Sequence, residues 1–331
     1  ENLDLAELAN MEIGEIARRA GISRRKAESA HRAAQSAVVE RRKQELAARG
    51  IGWIVPWDAA YPHRLKAIKD RPWVLFYKGN VRLLQEMCLA IVGSRVPTAY
   101  GRRAAEWLSE ELAACGLTIV SGLARGIDSC AHQGALKANG STVAVLGSPL
   151  TRVYPPENKA LFERIAAEGL LITEAPLTSD VRPGMFPLRN RIIAGISLGV
   201  MVVEAAVPSG TSSTVKCAAE YDRELFAVPG SIFSPKSAYP LKLIRESGAV
   251  AVTCPDNVLK ALPSFLPLRS GKHGPVREVP LTRDERRIVA ALADGPLSID
   301  ELLHFSEYTF GHLHSVLLSL TMKHQIEQLP G

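Results

Sequence analysis

Four short stretches of this 331-residue chain carry residue types that bind anions: Gly93-Ser94-Arg95, Ser121-Gly122-Leu123-Ala124-Arg125-Gly126-Ile127-Asp128, Phe186-Pro187-Leu188-Arg189-Asn190-Arg191 and Ser209-Gly210-Thr211-Ser212-Ser213-Thr214. Between them they supply glycines, small hydroxyls and arginines. Glycine lets the backbone close on a phosphate and turn its N–H groups inward, and the N-terminus of a following helix adds partial positive charge. Arginine adds a two-pronged clamp on phosphate oxygens. Gly-Ser turns follow many buried strands, so each stretch alone says little. Four in one domain point to a phosphate site.

Catalysis has no comparable signature. There is no GxGxxG loop and no GxxxxGK[ST] loop, so NAD and ATP have no dedicated cradle and no cofactor is assigned. Cys88, Cys115, Cys130, Cys217 and Cys254 form no CxxC pair and have no histidine at ligand spacing, which predicts reduced thiols and no metal site. Asp128 and His132 lie four apart on one predicted helix, the spacing of an acid–base pair. The structural reading is stronger: Asp128 caps that helix and His132 packs under the loop. No residue is assigned a catalytic role.

The four stretches need a frame. Each follows a short apolar run, and the runs are Leu89–Gly93, Leu117–Gly122, Thr142–Gly147, Leu170–Glu174, Gly199–Glu204 and Leu225–Pro229. Continuous β-branched runs of this length indicate strands buried on both faces. Segments such as Ala104–Cys115 and Lys159–Glu168 are long enough for helices between them. The alternation predicts an α/β fold: an extended Rossmann-like, doubly wound, mostly parallel sheet, whose ligand lies beyond the C-terminal strand ends. The loop Phe186–Arg191 is expected to lead into a helix over Ile192–Ser197.

Four regions follow. Residues 1–50 read as a small helical domain, and Arg18–Arg49 holds ten basic residues against three acidic ones. A solvated helix face is the first reading of that excess, an accessory nucleic-acid contact the second. Residues 51–262 form the α/β domain, opening with strands near Trp53–Pro56 and Pro72–Tyr77. Residues 263–280, with Pro263, Pro267, Gly271, Gly274, Pro275 and Pro280, form a linker. Residues 281–331 show a capping signal at Thr282–Glu285, three helices and a short strand over Ile326–Leu329, the order of a winged helix. The net charge of +6 comes from the first two parts, since residues 281–331 hold four basic residues against seven acidic ones. No apolar run approaches the roughly 20 residues of a membrane helix, and Glu1–Asn10 lacks a signal-peptide pattern, so a cytoplasmic protein is expected.

The strand-end motifs are distinctive as a set. Ala90-Ile-Val-Gly-Ser-Arg95 with Tyr100-Gly101, Ile119–Asp128 with Ala131-His132, Tyr154-Pro-Pro-Glu-Asn158, Phe186-Pro-Leu-Arg-Asn-Arg-Ile-Ile-Ala-Gly195, Val203-Glu-Ala205 and Phe226-Ala-Val-Pro-Gly230 resemble the DprA/Smf family of DNA-processing proteins in order and spacing over about residues 53–255. The resemblance implies a Rossmann core that binds single-stranded DNA, forms a homodimer and hands the strand to the RecA recombinase in natural transformation. Small helical N-terminal domains and C-terminal winged helices also occur in that family. This chain departs from the family pattern at Gly147–Thr151, Thr211–Lys216, Asp222 and Ala238–Leu241.

On this reading Arg95, Arg125, Lys159, Arg189 and Arg191 contact phosphates. Gly93, Ser94, Ser121, Gly122, Gly126, Asn190, Gly210 and Thr211 offer polar or backbone groups, and Phe186 stacks on a base. A second reading makes the same pocket a nucleotide-processing hydrolase with Glu204 or Asp128 as acid or base. Ser209-Gly210-Thr211 faintly resembles the PGGxGT loop of phosphoribohydrolases, but the second glycine and the following glutamate are absent. A third reading makes the winged helix the DNA reader. Its presumed recognition helix, Phe310–Met322, has no arginine, and a protein-contact role fits it better.

Overall fold

The apolar runs become strands whose alternate residues are buried on opposite faces, which is why the runs are continuous. Leu89 and Ile91 of one strand pack on one side with Leu108, Leu112 and Ile127, while Ala90 and Val92 pack on the other with Ile192, Ile193 and Ile196. The computed structural model describes residues 8, 10–34, 37–138, 141–262, 282–292, 297, 299–306 and 308–322. They fall into two units, Glu1–Pro267 and Leu268–Gly331.

The first unit is built on one nine-stranded sheet. Its strands are β1 (Gly52–Ile54), β2 (Leu75–Gly79), β3 (Cys88–Val92), β4 (Thr118–Ser121), β5 (Thr142–Leu146), β6 (Leu170–Thr173), β7 (Gly199–Val202), β8 (Glu224–Ala227) and β9 (Val250–Ala251), in spatial order β1-β2-β6-β5-β4-β3-β7-β8-β9. β3 to β9 are mutually parallel, while β2 pairs antiparallel with β6, and β1 with β2. The chain winds outward from β3 through β6, returns to β7 on the other side of β3 and winds outward again. The order therefore reverses between β3 and β7, where sheets of this kind bind ligands.

Helices α1 (Ile13–Ala20), α2 (Arg24–Ala34) and α3 (Ala37–Ala48) precede the sheet, with the four-residue α4 (His63–Lys66) after β1. Leu46, near the end of α3, joins the buried cluster of Leu123, Leu146 and Ile165. Arg19, Arg24, Arg41, Arg42 and Lys43 each lie within 4.0 Å of a carboxylate one turn away, the pattern of a solvated helix face. The crossovers are α5 (Ala99–Ala114), α6 (Ile127–Lys137), α7 (Lys159–Glu168), α8 (Met185–Ile196), α9 (Thr211–Glu220), α10 (Ala238–Glu246) and α11 (Pro255–Ala261).

Two expectations need correction. The helix after β3 starts at Ala99 rather than Ala104, because the Thr98 hydroxyl accepts the Gly101 N–H at 3.1 Å and caps it. The segment Phe186–Arg191 is the first half of α8, not a loop. Pro187 stands third in that helix, where a missing N–H leaves no intrahelical carbonyl unserved.

The second unit contains α12 (Arg283–Ala291), α13 (Ile299–Ser306) and α14 (Phe310–Met322) around Ile288, Leu302, Leu313 and Leu320. The capping signal forms: Thr282 N–H donates to Glu285 at 2.6 Å, and Glu285 N–H to the Thr282 hydroxyl at 3.2 Å. The predicted linker over 263–280 and the strand Ile326–Leu329 lie outside the described residues. No described helix is long and apolar enough to cross a membrane.

The contact between α5 and α6 sets a test of the packing. A Cβ on Gly134 of α6 would overlap the Glu106 carbonyl of α5, so the helices meet backbone to backbone. Gly134→Ala should lower stability by about 1–3 kcal/mol through overpacking, despite the better helix propensity of alanine. A denaturant titration reads this as a lower midpoint at unchanged slope; a higher midpoint would mean that the helices separate freely.

Candidate nucleic-acid interface

The four stretches of glycines, hydroxyls and arginines gather at the C-terminal edge of the sheet, and the protein's own side chains fill two of them. At the reversal point Glu204, which follows β7, is buried. Its carboxylate accepts the Thr98 N–H at 2.8 Å and the Thr98 hydroxyl at 2.5 Å, at the N-terminus of α5. Its carbonyl accepts the Ser94 N–H at 2.6 Å, and a Cβ on Gly93 would lie 2.7 Å from that carbonyl. The helix end that could hold a phosphate holds a carboxylate instead, which favours it for the same electrostatic reason.

The second stretch is filled by Asp128, whose Oδ2 accepts the N–H groups of Gly122 at 3.1 Å and Ala124 at 3.3 Å. Burial pushes its carboxyl pKa up, and Arg189 and these hydrogen bonds pull it back. Gly126, not Asp128, occupies the cap position of α6. His132 is buried one turn further on, bonded through Nδ1 to the Thr142 hydroxyl at 2.7 Å. Burial, with Arg189 nearby, lowers its pKa to about 3. The two residues thus serve the fold, Asp128 holding the loop and His132 neutral beneath it.

Arg189 is the main correction. It was expected to clamp phosphate, yet it is only 7% exposed. Its guanidinium donates to the carbonyls of Gly122, at 2.7 Å, and Val145, and its Nε to Asn190 at 3.1 Å. Asn190 in turn donates to Ser213 at 2.7 Å. Position 189 of a helix that begins at Met185 faces the sheet, and the charge is tolerated there because Asp128 opposes it; desolvation still lowers its pKa to about 10. A Cβ on Gly122 would overlap that guanidinium, so this glycine makes room for an arginine rather than a phosphate. Gly126, at φ +79°, likewise lets the loop pass the Ser94 carbonyl. The Ser121 hydroxyl is buried and donates to Ile91 at 2.6 Å.

The remaining cations divide. Arg191 Nη2 donates to both carboxylate oxygens of Glu174, at 2.9 and 2.8 Å, and its Nε lies 3.6 Å from Asp70, so it ties the end of β6 to the segment before β2. Arg125 is exposed but paired with Glu157, and Lys159 is exposed 4.0 Å from Glu163. Arg95 is exposed and makes no hydrogen bond or ion pair with the described residues. Gly210 is exposed with open space around its Cα, and among the described residues no carboxylate is bonded at the start of α9, where the Thr211 N–H donates to the Ser209 hydroxyl at 3.1 Å. Phe186 is half-buried against Gly147 and against Tyr154, the ring centroids 5.0 Å apart.

Sequence reasoning missed Tyr154 as the partner of Phe186, and Arg182, an exposed cation just before α8. The signal for Arg182 was its place beside Pro183-Gly184, which breaks the chain immediately ahead of the helix.

The first unit is thus a doubly wound α/β domain whose crevice is closed from within by Glu204 and Asp128, with Arg95 exposed outside it. Residues 52–263 match the family model of DNA recombination-mediator protein A, and residues 275–331 that of the DprA winged helix domain; the chain belongs to this DprA/Smf family and carries its winged helix at the C-terminus. It is 36% identical over 314 residues to protein Smf of Synechocystis sp., covering 84% of this chain and 78% of that one. The crystal structure of DNA processing protein A from Streptococcus pneumoniae superposes with a TM-score of 0.67 at 35% identity, covering 79% of this chain and 92% of that one. DNA processing protein A of Helicobacter pylori, described for its single-stranded DNA binding mode, superposes at 0.58 with 29% identity, covering 64% and 97%.

Two measurements check the internal network. Arg189→Ala strands the Asp128 carboxylate and should cost about 3–5 kcal/mol of stability, whereas Arg95→Ala should change it by less than about 0.5 kcal/mol; equal effects would mean that Arg189 is not bound inward. Because the folded-state pKa of His132 lies below the usual 6.5, only the unfolded chain takes up its proton as pH falls. The stability His132 confers is therefore complete above about pH 6.5 and declines by about 1.4 kcal/mol per unit below it. Compared with His132→Gln, the wild type should lose about 2 kcal/mol more between pH 7 and 5. The raised pKa of Asp128 acts in the opposite sense and cancels in this difference. A gap independent of pH would show that His132 is charged in the fold.

Proposed function

We propose that this protein binds single-stranded DNA along the C-terminal edge of its sheet and delivers the strand to the RecA recombinase in natural transformation, acting as a homodimer. The observation that carries the binding reading is Arg95, an exposed guanidinium without a partner among the described residues, at the reversal between β3 and β7. With the crevice closed by Glu204 on Thr98, a ligand lies over the edge rather than inside it. A flexible strand suits that surface. Arg95, Lys159 and the start of α9 at Gly210 and Thr211 meet phosphates, and Phe186 with Tyr154 meets a base. The single-strand preference is further supported by the description of the Helicobacter pylori relative. Transfer to RecA and dimerisation rest on membership in a recombination-mediator family.

The hydrolase reading is less well supported. It would use Asp128 or Glu204, and both carboxylates are buried and hydrogen-bonded to the backbone. We assign no catalytic step.

Titration of labelled oligonucleotides at several salt concentrations tests the proposal. Single strands should bind more tightly than duplex of equal length, with little sequence preference and a steep salt dependence. Arg95→Ala should weaken all single strands alike and reduce the slope of log K against log salt by about 0.7, one phosphate contact. Equal or tighter duplex binding would rule the reading out.

A further inference from the structure

One exposed apolar patch of the sheet edge lies on the far side of Arg95 from Phe186. Val96 and Tyr100 follow β3, Ile232 and Phe233 follow β8, and all are more than half exposed, Phe233 reaching 90%. Single exposed apolar residues are ordinary, but these belong to loops that are bonded together. The Tyr100 hydroxyl donates to the Pro229 carbonyl at 2.6 Å, Lys236 Nζ donates to the Val96 carbonyl, and the Ala205 N–H donates to the Lys236 carbonyl at 2.7 Å. The tip itself is a tight turn, with the Ser231 hydroxyl accepting the Phe233 N–H at 3.2 Å and the Ser231 carbonyl accepting the Ser234 N–H at 3.0 Å. Phe233 is thus presented by a braced loop.

Charge selects the occupant. Residues 93–105, 205–219 and 225–245, which build this side of the edge, contain Arg95, Arg102, Arg103, Lys216 and Lys236 among their cations and no aspartate or glutamate. Of the acids that adjoin these segments in sequence, Glu106, Glu204, Glu220, Glu224 and Glu246, Glu204 is buried on Thr98. Two copies of such a surface would set like charges face to face, which is unfavourable. A single strand of DNA offers what the surface lacks, anionic phosphates together with flat apolar base faces.

Resting on the single-strand reading above, we infer that Ile232 and Phe233 form a second base-stacking platform, so that the strand runs from Phe186 and Tyr154 past Arg95 to the loop after β8. Phe186 touches Gly147 at the end of β5, and from there to β8 the sheet order counts four spacings, about 19 Å at roughly 4.8 Å each. At the stacked rise of about 3.4 Å per nucleotide this is on the order of six nucleotides.

The experiment uses the full chain with Phe233→Ala, Phe233→Trp and Arg95→Ala, each titrated with a 20-nucleotide oligothymidylate and with an abasic strand of the same length. Phe233→Ala should weaken the oligothymidylate by about tenfold, leave the salt slope unchanged and leave the abasic strand unaffected, while Phe233→Trp retains wild-type affinity. Two results would overturn the inference: unchanged oligothymidylate binding by Phe233→Ala, or a loss accompanied by a change in oligomeric state by light scattering, which would make the patch a self-association surface. If Arg95→Ala also leaves binding unchanged, the single-strand reading itself fails; if only Phe233→Ala is silent, the extension alone fails.

Discussion

The Arg189 guanidinium is the interaction on which the sheet edge depends. It enters from α8, binds the carbonyls where β4 and β5 end, and stands opposite Asp128, which binds the amides of the same loop from the other side. A buried arginine is costly unless its donors and its charge are both answered. Here the loop backbone answers the donors and Asp128 answers the charge. Gly122 has no side chain because one would occupy the guanidinium's place. The loop is therefore specified by its own glycine and aspartate together with an arginine from a distant stretch of chain.

Glu204 performs the corresponding task at the neighbouring reversal point, and together the two acids convert a ligand-binding architecture into a closed one. In sheets of this kind the crevice between the diverging halves ordinarily receives a nucleotide phosphate at a helix N-terminus. Here that helix end is capped by Thr98 and neutralised by Glu204. Outside the closed crevice, at the rim, Arg95, the start of α9 and exposed aromatic groups stand in the open, where the proposed strand would lie. A rim accommodates a long flexible polymer better than a compact nucleotide, which agrees with a family that processes DNA.

The second unit follows its own logic. Glu285 closes the capping box of α12 and also accepts the Ser319 hydroxyl of α14 at 2.6 Å, so one buried acid joins the start of one helix to the flank of another. Tyr308 and His312 both bind Asp284, at 2.9 and 3.0 Å. The acids that make this unit net negative are thus partly structural, in keeping with a presumed recognition helix that carries no arginine.

Much of this was legible in the amino-acid order. Continuous apolar runs separated by helical segments can be buried only as a parallel sheet covered on both faces, and the strand-end motifs identify the family. Helix α7 spans Lys159–Glu168 as its pattern predicted, because its boundaries depend on local residues. The start of α8 was not legible, since Phe186 to Arg191 has no periodicity that separates a loop from a first turn next to two prolines. Nor could the order reveal which arginine faces outward. Arg95, Arg189 and Arg191 are the same residue type beside similar neighbours, and their fates differ because Asp128 and Glu174 reach two of them from distant positions while no carboxylate among the described residues reaches the third. Residue type and local spacing determined that this edge would carry cations and glycines. Which charges are neutralised within the fold and which remain for a ligand was decided by tertiary structure, because an ion pair depends on distance in space rather than separation in sequence.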